Sequence, residues 1–169
     1  LKDDKYPVTV KLHYVAYGKE NIIRTFTEIS HEEKKPVILC KYASSMLHLN
    51  SSKYFLTEFS GDWAHEANIT ERELAFGKKV IDTKLGARAN MFVSPFFQLS
   101  VDNPSEENTG EVIVGTLGWT GNFRFTFEVD NLNHLRILSG INPYASEYNL
   151  PAGEVFRTPD FYFTYSLNG

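Results

Sequence analysis

The chemistry-bearing residues crowd most closely in Gly61-Asp62-Trp63-Ala64-His65-Glu66, where two carboxyl groups flank an aromatic ring and an imidazole. General acid/base catalysis needs such a pair fixed in a pocket whose environments drive the two pKa values apart. Spacing along the chain builds no such pocket, and a polar turn anchored by a buried Trp63 accounts for the cluster more simply. No residue is therefore assigned a catalytic role. The five histidines, His13, His31, His48, His65 and His134, are scattered. None falls in the H-x-x-x-H or H-E-x-x-H spacing that sets two ligands on one helix face, so no metal site is expected. There is no G-x-S-x-G elbow, no phosphate-cradling glycine loop and no strand-to-helix dinucleotide unit, so no cofactor is expected either.

Sugar binding asks for less: flat aromatic faces with polar neighbours. Trp63 with Glu66 and Trp119 with Asn122 are the candidate carbohydrate-binding residues, and Tyr144, Tyr148, Asn142 and Glu154 could assist. Each also has a structural account. Trp119 precedes a tight reversal that Asn122 would cap.

The elements that must position these side chains are strands. In Phe123-Arg124-Phe125-Thr126-Phe127-Glu128-Val129-Asp130 every odd residue is apolar and every even one polar, the period of a half-buried strand. Glu111 to Trp119 reads as its partner, with Thr120-Gly121-Asn122 closing an antiparallel hairpin. Val8 to Tyr17, Ile22 to Ile29, Val37 to Tyr42, Tyr54 to Phe59, Leu135 to Leu138 and Asp160 to Ser166 follow the same grammar. They give about ten strands, a density that suits a sandwich. The expected fold is an all-β, antiparallel β-super-sandwich with little helix. Its best helical window is Thr70 to Ala75, where Thr70 and Glu73 offer a capping box before Gly77. Asp102 to Thr109 reads as a loop, and Cys40, in Val37-Ile38-Leu39-Cys40, as a small buried hydrophobe.

Bulk properties agree with one packed unit. A chain of 169 residues with 42% apolar content can build a real core, burying roughly 70% of the surface its unfolded form exposes. Its 13 Phe, 9 Tyr and 2 Trp suit wide sheets with large side chains filling the space between them. A net charge of −4 with scattered basic residues argues against nucleic acid as a partner. No apolar run approaches the roughly 20 residues that cross a bilayer, so no membrane partner is expected. The compartment stays open. Leu1 enters almost directly into a strand and Ser166-Leu167-Asn168-Gly169 follows one, so both ends look cut from a larger protein.

Several segments carry a resemblance. They are Ser60-Gly61-Asp62-Trp63-Ala64-His65-Glu66, Phe76-Gly77-Lys78-Lys79-Val80, Asn90 with Ser94-Pro95-Phe96, and Gly110-Glu111-Val112. Further on come Trp119-Thr120-Gly121-Asn122-Phe123, Gly140-Ile141-Asn142-Pro143, Gly153-Glu154-Val155-Phe156-Arg157-Thr158-Pro159 and Tyr165-Ser166. In this order they resemble the later part of the amino-terminal domain of glycoside hydrolase family 36, over about Tyr54 to Ser166. Residues 1–50 match in strand pattern only.

The resemblance implies a large β-super-sandwich beside a (β/α)8 barrel. It also implies retaining hydrolysis of α-galactosides by two barrel aspartates that follow this region. No residue here inherits their role. Residues 1–169 would then be one β-sandwich, a fragment of the larger amino-terminal domain without its barrel. That sandwich would brace the barrel of the same parent chain, contribute to homo-oligomer contacts, or lend a loop to a pocket's rim. An independent lectin-like module is the alternative. If the barrel covers one face, the isolated fragment should expose an apolar patch and self-associate. Leu85 to Asn90 and Trp119-Thr120 depart from the family pattern, which leaves the exact glycoside open. Related members act on N-acetylgalactosaminides or transfer galactosyl units to sucrose.

Overall fold

The computed structural model describes residues 1–89 and 91–169, so Asn90, one of the residues carrying the resemblance, lies outside the described residues. Fourteen strands appear among the described residues: β1 (Val8–Tyr17), β2 (Ile22–His31), β3 (Val37–Leu39), β4 (Ser45–Asn50), β5 (Tyr54–Asp62), β6 (His65–Glu73) and β7 (Gly77–Asp82), then β8 (Val93–Glu106), β9 (Thr109–Leu117), β10 (Phe123–Val129), β11 (His134–Ile141), β12 (Tyr148–Leu150), β13 (Val155–Arg157) and β14 (Phe161–Ser166). The helical content among the described residues is one 3-10 turn, Gly86–Arg88.

The larger sheet runs β1-β2-β14-β9-β8-β5-β6, with β13 paired to the free length of β2. The second runs β4-β11-β10-β7, and β12 with β3 makes a short ribbon. Every pairing between named strands is antiparallel. The two larger sheets bury one core between them, built from Tyr54, Leu56, Phe97, Leu99 and Phe161 on one side and Phe123, Phe125, Phe127, Leu135 and Ile137 on the other. Phe97 sits at its centre, edge-on to Phe125 at 5.2 Å and to Phe127 at 5.0 Å, a favoured arrangement for aromatic pairs. Gly115 of β9 leaves room for these rings: a Cβ there would fall 2.6 Å from the Phe97 ring and 2.7 Å from that of Phe161.

Five expectations are corrected. β9 and β10 are not a hairpin: β9 lies between β8 and β14, and β10 between β7 and β11, so residues 118–122 cross from one sheet to the other. Their inward residues face each other across the core, so both strands bury one side without sharing a hydrogen bond. Thr70 to Ala75 is not helical. Thr70 to Glu73 belong to β6, whose pairing with β5 overrides a local capping preference worth about 1 kcal/mol. Asp102 to Thr109 is not a loop, because β8 continues to Glu106, which pairs with Thr109 in a tight hairpin. Cys40 is exposed rather than buried, since β3 stops at Leu39. Trp63 is also exposed, so it anchors no turn.

Candidate functional site

The antiparallel register brings the candidates to one end of the sandwich. β5 ends there at Asp62, β7 at Asp82, β9 at Leu117 and β11 at Ile141, while β10 and β14 begin there at Phe123 and Phe161. The loops between them carry Trp63, Trp119, Asn122, Asn142 and Tyr144, and Glu66 is the second residue of β6 at the same end. The opposite end, where β4, β10 and β11 meet residues 51–53 and Asp102, carries none of them.

Trp63 stands at the tip of the β5–β6 hairpin. A register shift between Ser60 and Asp62 leads into the turn, Asp62 pairs with His65, and Ala64 takes φ of 63°. The Trp63 N–H donates to Asp62 Oδ1 at 2.7 Å, which fixes the backbone and occupies one carboxylate oxygen. The indole itself is 84% exposed. Glu66, the second residue of β6, is exposed as well, so each side chain faces solvent.

Trp119 and Asn122 occupy the crossover. The indole lies over Gly121, where any Cβ would be 2.7 Å from Nε1, and remains 39% exposed. It forms one wall of an open groove of about 320 Å³, with Arg157, Pro159 and Asp160 on the other sides. Asn122 makes two loop contacts: its Oδ1 accepts from the Gly86 N–H at 2.7 Å and its carbonyl from the Asn142 N–H at 3.0 Å. Asn142 is fully buried and fully used. Its Nδ2 donates to the Thr83 carbonyl at 3.0 Å, and its Oδ1 accepts from the Tyr144 N–H at 3.0 Å.

Two residues not singled out in the sequence hold this end together. Arg124 donates from Nε and Nη2 to Asp82 Oδ2, at 3.1 and 2.7 Å, tying β10 to β7 under the loops. Their signal was the outward, even register of Arg124 in β10. Lys84 also places its ammonium 4.8 Å from the centre of the Tyr144 ring, in the cation–π range. Tyr148 and Glu154 do not line the Trp119 groove, though Tyr148 packs at 4.6 Å on Phe156, which does. Gly61 N–H donates to the Phe92 carbonyl, and Arg88 and Met91 line a second open groove with Thr120, so Met91 and Phe92 link the Trp63 hairpin to the Trp119 crossover. Neither of these two grooves holds both tryptophans. Chemically, the Trp119 groove sets an aromatic face beside Arg157 and Asp160, which are ion-paired with each other.

Residues 1–151 match the family described as glycosyl hydrolase family 36 N-terminal domain. The chain belongs to this family. It is 30% identical over its full length to the α-galactosidase AgaA of Geobacillus stearothermophilus, and 29% identical to α-galactosidase 2 of Pediococcus pentosaceus. In each case it spans 23% of the relative's own length. Among solved structures, AgaA superposes with a TM-score of 0.89 at 30% identity over 96% of this chain and 22% of that one. The α-galactosidase of Lactobacillus brevis gives 0.92 at 28% identity over 99% and 22%. A variant of AgaA has been solved in complex with raffinose. The family 36 N-terminal domain is all-β and antiparallel here as in these neighbours.

Proposed function

We propose that residues 1–169 are a single β-sandwich, one part of the larger amino-terminal domain of an α-galactosidase. In this reading the chain is non-catalytic and the reacting carboxylates belong to a barrel elsewhere in the same parent polypeptide. The observation that carries the proposal is the coverage: all 169 residues align, yet they span only 23% of relatives named α-galactosidases. The domain braces the barrel and contributes to homo-oligomer assembly or to the rim of a sugar pocket. The exposed Trp63 tip is the segment best shaped for the rim, since a hairpin projects its indole at fixed height with little backbone freedom to lose. The parent's substrates would be α-galactosides.

A second reading, an independent carbohydrate-binding module, draws support from the Trp119 groove. Assay of a chromogenic α-galactoside, together with calorimetric titration of galactose and raffinose, separates the two. The proposal expects turnover by the protein of the full reading frame, none by residues 1–169, and no heat of binding from the latter. Millimolar or tighter binding by residues 1–169 favours the module. Turnover by residues 1–169 that is lost in Glu66→Gln overturns the non-catalytic assignment.

A further inference from the structure

His31 ends β2 and is 3% exposed. Both ring nitrogens are engaged by backbone: Nδ1 lies 3.1 Å from the Glu33 amide nitrogen, and Nε2 lies 3.0 Å from the Leu150 carbonyl oxygen. A backbone N–H can only donate and a carbonyl can only accept. The ring therefore carries its proton on Nε2, and Nδ1 offers a lone pair to Glu33. The two partners define one protonation state, neutral, and one tautomer.

Leu150 belongs to the β12–β3 ribbon, which has only three residue pairs and joins neither large sheet by strand pairing. The Nε2–H to Leu150 bond is thus a direct polar tie between that ribbon and the larger sheet. We propose that His31 is a protonation-sensitive latch: the ribbon stays docked while the ring is neutral and is released when the ring takes a second proton. A proton on Nδ1 would point at the Glu33 N–H, break that bond and leave a buried cation, so the ring turns out to water and, in turning, withdraws Nε2–H from the Leu150 carbonyl.

The surroundings offer that cation little compensation. Val8 stands opposite His31 on β1, and Leu150 faces it from β12; neither ionises. On its own turn Glu32, Lys34 and Lys35 are exposed and Glu33 is half-buried. Lys5 and Tyr6 before β1, Glu147 and Tyr148 on the β12 side, and Glu154 and Arg157 on the β13 side are all exposed. The histidine ion pairs among the described residues are those of His13 with Glu28 and His134 with Asp130, and neither involves His31. Release would also loosen Tyr144, which lies on the segment leading into β12.

The test is amide hydrogen exchange by NMR on the 169-residue chain, corrected for the intrinsic pH dependence. It is run between about pH 8 and about pH 5, the span in which imidazole ordinarily changes charge. Protection at Glu33 and in β3 and β12 should fall roughly tenfold, while β10 and β11 keep theirs. His31→Gln, which can donate to Leu150 but does not titrate, should abolish the pH response. Equal ribbon protection at both ends of the range overturns the latch, as does an equal loss in His31→Gln or a uniform loss across the chain. Should the variant not fold, the ¹⁵N shifts of the His31 ring at the upper pH decide the matter: an Nδ1–H tautomer sinks the proposal.

Discussion

At the scale of single residues, side-chain type narrowed the candidates and backbone context assigned them. Asn122 and Trp119 are neighbours in the chain with opposite fates, because Asn122 spends its side-chain oxygen on Gly86 while Trp119 keeps an open face. That face depends on Gly121, which has no Cβ to lift the indole. Gly121→Ala places a methyl 2.7 Å from Trp119 Nε1, and the half-exposed ring is the part able to give way. In a Trp63→Phe background, so that one indole reports, Gly121→Ala should shift Trp119 emission to the red. Stability should change by less than about 1 kcal/mol, as at most surface sites. Unaltered emission would mean that the ring does not rest on Gly121.

At the scale of elements, the end of the sandwich away from the candidate loops is held by a polar knot. Asp102, at φ of 63°, takes hydrogen bonds on one oxygen from Ser51 Oγ at 2.5 Å, Ser52 Oγ at 2.7 Å and the Ser52 N–H at 3.1 Å. Asn133 closes the other side by donating to the Ser51 and Ser52 carbonyls. These bonds, the Ser51 hydroxyl first, pull the Asp102 carboxyl from 3.8 down to about 2. A folded pKa below the unfolded one makes the contribution complete above the ordinary carboxylate range and lost as pH falls through about 2. Asp102→Asn keeps a residue tolerant of positive φ and removes only the charge. The gap between the urea midpoints of wild type and variant should be constant above about pH 5 and close below it, towards pH 2. A gap that persists unchanged at the lowest pH would contradict this. The knot was not legible beforehand, because its members are about 30 to 80 positions apart and Asp102 sits in a stretch that reads as loop. The β6 error has the same origin: Thr70 and Glu73 speak for a local helix, and the pairing partner that outvotes them lies across a turn.

At the scale of the whole molecule, alternation revealed which side of each strand is wet and left open which strands are neighbours. Phe123, Phe125 and Phe127 were readable as one buried face, and they are the floor of the core. That β9 crosses to the other sheet instead of pairing with β10 was not readable, since both arrangements bury the same residues. The crossover also decides the candidate end: by carrying Trp119 from sheet to sheet it brings that ring beside Arg157 and Asp160, distant in the chain.

The packing that enforces this arrangement is tight at Gly115, which lets the Phe97 and Phe161 rings meet over β9. Gly115→Ala drives a methyl into both rings, and neither has solvent to retreat into, unlike Trp119. The cost should be roughly 1–3 kcal/mol, the range for overfilling a close-packed core. Phe97→Leu alone should also destabilise, through lost contact and an unfilled space. If the steric account holds, the double variant is less unstable than the sum of the two, because the shortened side chain at 97 admits the added methyl. Strict additivity in urea unfolding would show instead that Gly115 is required for its backbone and not for the rings above it.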